Sequence, residues 1–160
     1  MSWDPQTYLA FDAHRTRPAV ELLARIYHPA PRTVVDLGCG PGNSTALLAA
    51  RWPDASLTGM DSAPAMLEKA KTSDVWATWI EADIGTWKAA SPPDVLFSNA
   101  ALQWLDDHAA LLPQLLTHLA PHGVLAVQMP RNFDAPSHTL LRETVAEWCE
   151  ATGDTSLAAH

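Results

Sequence analysis

The stretch that most constrains this chain runs from Val34 to Thr45 and reads VVDLGCGPGNST. A short β-branched run, typical of a strand buried on both faces, leads into glycines at positions 38, 40 and 42 and then into a helix-like segment. Glycine lacks a Cβ, so it permits a sharp turn and a close approach of ligand to backbone. This glycine corner therefore predicts a ligand site at the carboxyl end of a parallel sheet.

Acidic residues end or follow successive predicted strands: Asp36 lies before the glycines, Asp61 ends SLTGMD, and Asp83 ends VWATWIEAD beside Ile84. The spacing G-x-G-x-G and the acid at position 36 disfavour a pyrophosphate ligand. The array suits instead an ammonium at Asp36, a ribose at Asp61 and an adenine at Asp83 and Ile84. S-adenosylmethionine (SAM) has these groups and no phosphate. For each acid alone, a strand-end cap or turn role is the alternative.

The whole chain alternates between strand-like and helix-like segments, which predicts an α/β fold with a doubly wound, mostly parallel sheet. Strands are expected at 33–37, 56–61, 75–83, 92–100 and 124–129. Helices are expected after the glycines, capped by Asn43 or Ser44, and at 62–71, capped by Ser62 with Pro64 in the first turn. Pro113 should begin a fresh helix within the segment after Asp106, and the last helix should span 137–149.

Composition excludes several classes of protein. The net charge is -8 and the ten Lys and Arg residues form no run, so nucleic-acid binding is disfavoured. Charges interrupt the apolar windows of the N-terminal segment, so neither a signal peptide nor a membrane span is expected. Cys39 and Cys149 show no metal-ligand or C-x-x-C spacing, and we expect no metal site. The default location is the cytoplasm.

The motif series VVDLGCGPGNST, TGMDSAPAML, EADI and GVLAV resembles that of class I SAM-dependent methyltransferases. The segments YLAFDAHRTRPAVELLARI, SNAALQWLDDH and LAVQMPRNF are similar to members that methylate a carboxylate of trans-aconitate. The resemblance spans Tyr8 to about Trp148. It implies a Rossmann-like sheet, SAM as cofactor, SAH as product, and a small carboxylic acid as substrate.

The resemblance also implies an organisation and a cofactor site. Residues 1–30 would form a helical cap segment, 31–130 the SAM-binding core, and 131–160 a loop and helix that begin the substrate region. The cofactor-binding residues would be Asp36, Gly38, Gly40, Asn43, Asp61, Ser62, Asp83, Ile84 and Asn99.

A carboxylate substrate is already ionised at neutral pH, so its methylation requires no general base. The chain must then position the substrate and exclude water. The candidates for positioning are Tyr8, His14 and Trp104; for the histidine a surface role, and for the tryptophan a core role, is the alternative.

A polyacid bound to an acidic protein requires local cations, and guanidinium groups match carboxylates well. The candidates for substrate binding are Arg15, Arg17 and Arg131, each of which has a solvated surface role as its alternative. We expect two of the three to act together.

Family members are longer and carry two further strands, so we expect this chain to correspond to the cofactor-binding two-thirds, without the last two strands. The apolar strand 124–129 would then have a free edge, which favours self-association. One alternative function is a SAM- or SAH-binding fragment without turnover. Another is a nicotinamide-dependent oxidoreductase, which the glycine spacing and Asp36 disfavour.

Overall fold

The computed structural model describes residues 16–132 and 134–156. Within them a parallel sheet has the strand order β3-β2-β1-β4-β5. Its strands are β1 (Thr33–Leu37), β2 (Ser56–Asp61), β3 (Thr78–Glu81), β4 (Val95–Asn99) and β5 (Val124–Gln128). The order reverses between β1 and β4, which is the switch point of a doubly wound sheet. The expected Rossmann-like α/β fold is confirmed. The described residues contain no sixth strand.

One helix, α1 (residues 16–24), precedes β1. Three helices lie between strands: α2 (Asn43–Arg51), α3 (Pro64–Lys71) and α4 (His108–Thr117), the last preceded by a 3-10 turn at Leu102–Trp104. The strand and helix types match the sequence expectations, and the third and fourth strands are shorter than expected. Tyr8, His14 and Arg15 lie outside the described residues.

Two local predictions about helices are wrong. The N-cap residues of α2 and α3 are Gly42 and Ala63, neither of which makes a side-chain cap bond, although Pro64 does lie in the first turn. Pro113 lies inside α4 instead of beginning a new helix. Proline has no N–H, so the carbonyl of Ala109 lacks the partner that residue 113 would otherwise supply. Pro113 and Ala109 are both exposed, so solvent can hydrogen-bond to that carbonyl. The buried Leu111 and Leu115 hold the helix on the sheet.

The two faces of the sheet bury separate apolar clusters. On one face, Ala19 and Leu23 of α1 and Leu48 of α2 pack with Val34 and Phe97. The other cluster combines sheet residues with α4 and the 3-10 turn: Val35, Leu37, Met60, Ile84, Leu96, Leu102, Leu111 and Leu115. Helices on both faces leave the carboxyl edge of the central strands accessible, and that edge carries the glycine corner.

Contacts divide the chain into two compact units, Met1–Met129 and Pro130–His160. The second contains α5 (Pro136–Thr152), which begins with proline in its first turn and ends at Gly153 with φ 71°. Nδ2 of Asn132, which precedes α5, lies 2.9 Å from Nε2 of His138 in the first turn of the helix. The expected functional segments, with boundaries at residues 30 and 130, stay a prediction.

Across the described ranges, the longest and most apolar helices still fall short of what a membrane crossing requires. The same residues place no three His, Cys, Asp or Glu side chains in an arrangement that holds a metal ion.

Candidate functional site

Two adjoining grooves open at the carboxyl ends of the strands. The large groove, about 550 Å³, is lined by Gly38, Gly40, Pro41, Asp61, Ser62, Ala63, Met66, Ala82, Asp83, Ile84, Ala100, Ala101, Trp104 and Leu105. The small groove, about 340 Å³, is lined by Thr16, Ala19, Gly38, Cys39, Gly40, Pro41, Asn43, Ser44, Asn99 and Ala100. Gly38, Gly40, Pro41 and Ala100 belong to both, so the two grooves meet at the corners that follow β1 and β4.

The glycine corner is held against β2 by the backbone. The N–H groups of Gly38 and Cys39 both donate to the carbonyl of Met60, at 2.8 and 2.9 Å. Gly38 and Gly40 have φ of 72° and 55°, which favour glycine. A Cβ on Gly38 would lie 2.2 Å from the Cβ of Ala101, whereas a Cβ on Gly40 would meet no atom within 4 Å. Gly38 therefore serves close packing, and Gly40 leaves open space beside both grooves.

Asp61 links the end of β2 to both neighbouring loops. Its Oδ2 accepts from the N–H of Gly40 at 2.9 Å, and its Oδ1 accepts from the N–H of Ala63 at 2.9 Å. These bonds fix the carboxylate at the wall of the large groove. Each carboxylate oxygen can accept more than one hydrogen bond, so Asp61 keeps capacity for a hydroxylated ligand.

Asp83 and Ile84 follow β3 and also line the large groove. Asp83 is exposed, and its Oδ1 accepts from the N–H of Gly85 at 2.7 Å, which closes a local turn. Ile84 is buried in the core beneath the groove. A carboxylate and an aliphatic side chain thus stand together, as the sequence predicted.

Asp36 occupies a different environment from the other acids. Its side chain is 1% exposed and lines neither groove. Oδ2 accepts from the hydroxyls of Thr45 at 2.6 Å and Ser44 at 2.7 Å, while Oδ1 has no hydrogen-bond partner among the described residues. Burial raises the pKa of Asp36 to about 6; the two hydroxyl bonds oppose this rise and the charge of Asp61 adds to it. The structure therefore gives Asp36 a bracing role between β1 and α2 as well as a free acceptor.

The remaining expected cofactor residues lie at the rims of the grooves. Ser62 lines the large groove, and Asn43 lines the small one. Asn99 also lines the small groove, and its buried Oδ1 has no partner among the described residues. Of the nine expected cofactor residues, all but Asp36 therefore line a groove.

The positioning and substrate candidates are less concentrated. Trp104 is 84% exposed and lines the large groove, so a core role is excluded in this structure. Arg17 lies on an exposed face of α1, where its Nε is 2.7 Å from Oε1 of Glu21, with side chains 75% and 53% exposed. Arg131 is exposed in the second unit. The substrate role of these arginines stays a prediction.

Several groove residues carry no signal in the sequence. Ala63, Met66, Ala82, Ala101 and Leu105 line the large groove through apolar surface or backbone. Their residue types are common in any core, so only the fold identifies them. Cys39 and Pro41, which lie between the glycines, also line the grooves, and the sequence predicted no chemical role for them.

The architecture and the glycine corner define a methyltransferase domain. The family model described as a methyltransferase domain matches residues 11–154, and the chain belongs to that family. A solved structure, the plantazolicin methyltransferase BpumL in complex with a pentazolic desmethylPZN analog and SAH, is 27% identical with a TM-score of 0.54. That similarity covers 69% of this chain and 42% of BpumL.

Two curated relatives share a higher sequence identity with this chain than BpumL does. The trans-aconitate 2-methyltransferase of Azoarcus sp. (strain BH72) is 56% identical over 147 residues, which are 92% of this chain and 58% of the relative. The trans-aconitate 2-methyltransferase of Methylobacterium radiotolerans is 53% identical over 160 residues, 99% of this chain and 62% of the relative. The chain thus spans about three-fifths of the length of these relatives.

Proposed function

We propose that this chain binds SAM and transfers its methyl group to a carboxylate of a small organic acid, with trans-aconitate as the substrate. The observation that carries the proposal is the large groove, where Gly40, Asp61, Asp83 and Ile84 converge as a phosphate-free nucleoside requires. Identity above 50% to trans-aconitate 2-methyltransferases supports the choice of substrate.

The residues present fit SAM and its product SAH. Asp61 and Asp83 supply acceptors for hydroxyl and amino groups in the large groove, and Ile84 supplies apolar surface. In the small groove, the unpartnered Oδ1 of Asn99 is an acceptor without a donor, which an ammonium group would satisfy. Asp36 lines neither groove, so it would act on the ammonium through its charge and not through a direct hydrogen bond. The open space at Gly40 lets a ligand pass close to the backbone between the grooves.

The chain contributes position and a water-poor environment to the reaction. Bound SAM would supply an electrophilic methyl group. Because the acceptor is an ionised carboxylate, no residue needs to remove a proton from it. The exposed ring of Trp104 lies beside the large groove, where an aromatic face favours a cation and shields it from solvent. His108 holds the adjacent turn, with its Nε2 2.7 Å from the carbonyl of Leu102.

Arginines are proposed to recognise the carboxylates of the substrate. Arg15, Arg17 and Arg131 are the candidates, and the exposed ion pair of Arg17 with Glu21 is weak enough to exchange for a substrate carboxylate. If the hypothesis holds, Arg15→Ala and Arg131→Ala raise the KM for trans-aconitate and leave SAH affinity intact. Unchanged KM in both variants would refute it.

Calorimetry and a transfer assay test the function in order. We expect SAM and SAH to bind and NAD to give no heat of binding. A radiolabelled-methyl assay with trans-aconitate should then yield a methyl ester. Asp61→Asn is the matched variant. It keeps the size of the side chain and a carbonyl acceptor, and it should lower the affinity for both SAM and SAH. Binding of NAD in place of SAH would overturn the proposal.

The alternative function expected from the sequence is a domain that binds SAM and SAH without turnover. Identity above 50% to trans-aconitate 2-methyltransferases supports the transfer reaction over this alternative. Heat of binding with SAH, but no ester under saturating SAM and trans-aconitate, would select it over the first function.

Self-association through β5 is the proposed partner interaction. Within the described residues, β5 pairs with β4 on one side and with no strand on the other. Its residues Val124, Leu125 and Val127 are only partly buried, so a free apolar edge is available for pairing. Light scattering should show dimers whose fraction rises with concentration. A monodisperse monomer at high concentration would contradict this.

The cysteines fit a reducing compartment, and we propose the cytoplasm. Cys39 and Cys149 are both free. Burial, and after it the charges of Asp36 and Asp61, raises the pKa of Cys39 to about 12. Its thiol therefore stays protonated at neutral pH, which excludes a nucleophilic role in methyl transfer.

A further inference from the structure

A second tight corner packs directly against the glycine corner. It consists of residues 99–101, from the last residue of β4 onward, and is called here the alanine corner. At its centre Ala100 has φ 54°, in the left-handed region that non-glycine residues seldom adopt. Ala100 lines both the large and the small groove. A strained residue at the junction of two ligand grooves is a reason to look for the contacts that hold it there.

Hydrogen bonds hold the Ala100 backbone on both sides. Its N–H donates to the carbonyl of Gln128 at 2.9 Å, which extends the β4–β5 pairing by one residue. Its carbonyl accepts from Nε2 of Gln103 at 2.7 Å. The first bond belongs to the sheet, but the second depends on one side chain. Gln103 lines neither groove, so any effect it has on a ligand must act through Ala100.

The packing of the two corners makes the conformation of Ala100 consequential. Ala101 fills the space that a side chain on Gly38 would need, with 2.2 Å between the two Cβ positions. If Ala100 relaxed to an extended conformation, Ala101 would shift away from Gly38, which itself lines both grooves. The width of the junction between the grooves is therefore set by the conformation of residue 100.

We propose that Gln103 is a positioning residue for the ligand site, whose side-chain amide keeps Ala100 left-handed and thereby holds the junction between the two grooves in its binding shape. The inference rests on the proposed function, because the ligand that spans both grooves is the SAM or SAH proposed above. It adds a residue that touches no ligand and acts through the backbone of its neighbour.

The test measures SAH affinity by calorimetry in a double-mutant cycle. Gln103→Ala should raise the Kd for SAH about fivefold, the effect of losing one net hydrogen bond. In the Ala100→Gly background the same change should have less than about a twofold effect, because glycine adopts the left-handed conformation without help. Gln103→Met, which keeps the length of the side chain but lacks the donor, should reproduce the loss.

Two controls separate positioning from a general loss of structure. Ser73→Ala removes a side-chain bond of similar length, from Oγ of Ser73 to the carbonyl of Ala70 at 2.6 Å, at a residue that lines neither groove, and should leave SAH affinity unchanged. In urea unfolding, Ala100→Gly should not lower the stability, whereas Ala46→Gly in the exposed face of α2 should lower it by the usual amount for a helix interior.

Equal effects of Gln103→Ala in both backgrounds, or no effect in either, would overturn the inference while leaving the proposed function intact. If the native chain itself bound no SAH, the proposed function would fail, and this inference with it. The stability comparison at Ala100 is independent of any ligand: a loss of stability in Ala100→Gly equal to that in Ala46→Gly would also overturn the inference.

Discussion

The glycine corner and the alanine corner reach similar backbone conformations by different means. Gly40 and Ala100 have φ of 55° and 54°, and both line the two grooves. At the first corner the residue type itself permits the left-handed turn. At the second, an alanine is held in that conformation by a side-chain amide and a strand-pairing bond. Residue type determines the backbone conformation of the glycine corner, and contacts with neighbouring residues determine that of the alanine corner.

The two corners also differ in what supports them. Behind the glycine corner stands Asp36, a buried ionisable group braced by Ser44 and Thr45. The alanine corner begins at Asn99 and is supported by Gln103 and the Gln128 carbonyl, which do not titrate. Protonation of Asp36 should therefore act mainly on the first corner, while loss of a hydrogen-bond donor should act mainly on the second.

The largest effect is expected where the corners touch. Gly38→Ala adds a Cβ 2.2 Å from that of Ala101 and places alanine at φ 72°. Left-handed strain of roughly 1–2 kcal/mol and overpacking of roughly 1–3 kcal/mol together predict a loss of about 3 kcal/mol in the free energy of unfolding. Urea unfolding measures it. A loss below about 1 kcal/mol would show that the alanine corner moves aside for the added Cβ, and that the contact between residues 38 and 101 does not fix the junction between the grooves.

The next effect is a pH dependence that separates the corners. The folded-state pKa of Asp36 is about 6, above its ordinary 3.8, because the carboxyl is buried. The folded state thus binds the proton more tightly, so stability is greatest below pH 4 for this group and falls as pH rises to about 6. A pKa difference of this size corresponds to about 3 kcal/mol, since a tenfold change in proton affinity is about 1.4 kcal/mol.

Asp36→Asn should remove that decline, because the amide stays neutral while its oxygen can still accept from Ser44 or Thr45. Urea unfolding at pH 4.5 and 7 compares the native chain with this variant, so that the titration of all other groups cancels. Gln103→Ala serves as the control from the other corner and should retain the full decline. Identical pH profiles for the native chain and Asp36→Asn would contradict the burial of Asp36 without a counter-charge.

Gly40→Ala should have a smaller effect on stability and a larger one on binding. The left-handed conformation of residue 40 predicts a loss of roughly 1–2 kcal/mol, with no clash, since its Cβ would meet no atom within 4 Å. That Cβ would instead occupy ligand space, so the SAH Kd should rise at least about tenfold. Gly38→Ala is the matched comparison. Unchanged SAH affinity in Gly40→Ala would place the ligand away from the glycine corner.

This contrast shows what the sequence predicts and what it does not. Alternating segments and the glycine corner were enough to predict the parallel sheet and to place Asp61 and Asp83 at its carboxyl edge, where both line the large groove. They did not predict that Asp36 is enclosed by Ser44 and Thr45, because its position before the glycines fixes the backbone and not the direction of the side chain. Pro113 was misread because the helix around it is held by tertiary packing of leucines.

The left-handed conformation in the alanine corner could not be predicted from the sequence, for a physical reason. Its left-handed residue is an alanine, so no residue type marks it, and the bond from Gln103 to Ala100 forms only once the 3-10 turn at Leu102–Trp104 is in place. Sequence patterns report preferences of single residues and periodic faces. They do not report a conformation that neighbouring elements impose.

The smallest predicted effect concerns the strands from which both corners start. The buried Ser98 on β4 donates its hydroxyl to the carbonyl of Leu37 on β1 at 3.1 Å, one residue before each corner begins. Ser98→Ala removes one buried hydrogen bond and should lower stability by about 1 kcal/mol. If the bond also keeps the corners in register, stability losses from Ser98→Ala and Gly38→Ala should be non-additive by more than about 0.5 kcal/mol. Strict additivity would mean that the corners are coupled only through their direct contact between Gly38 and Ala101.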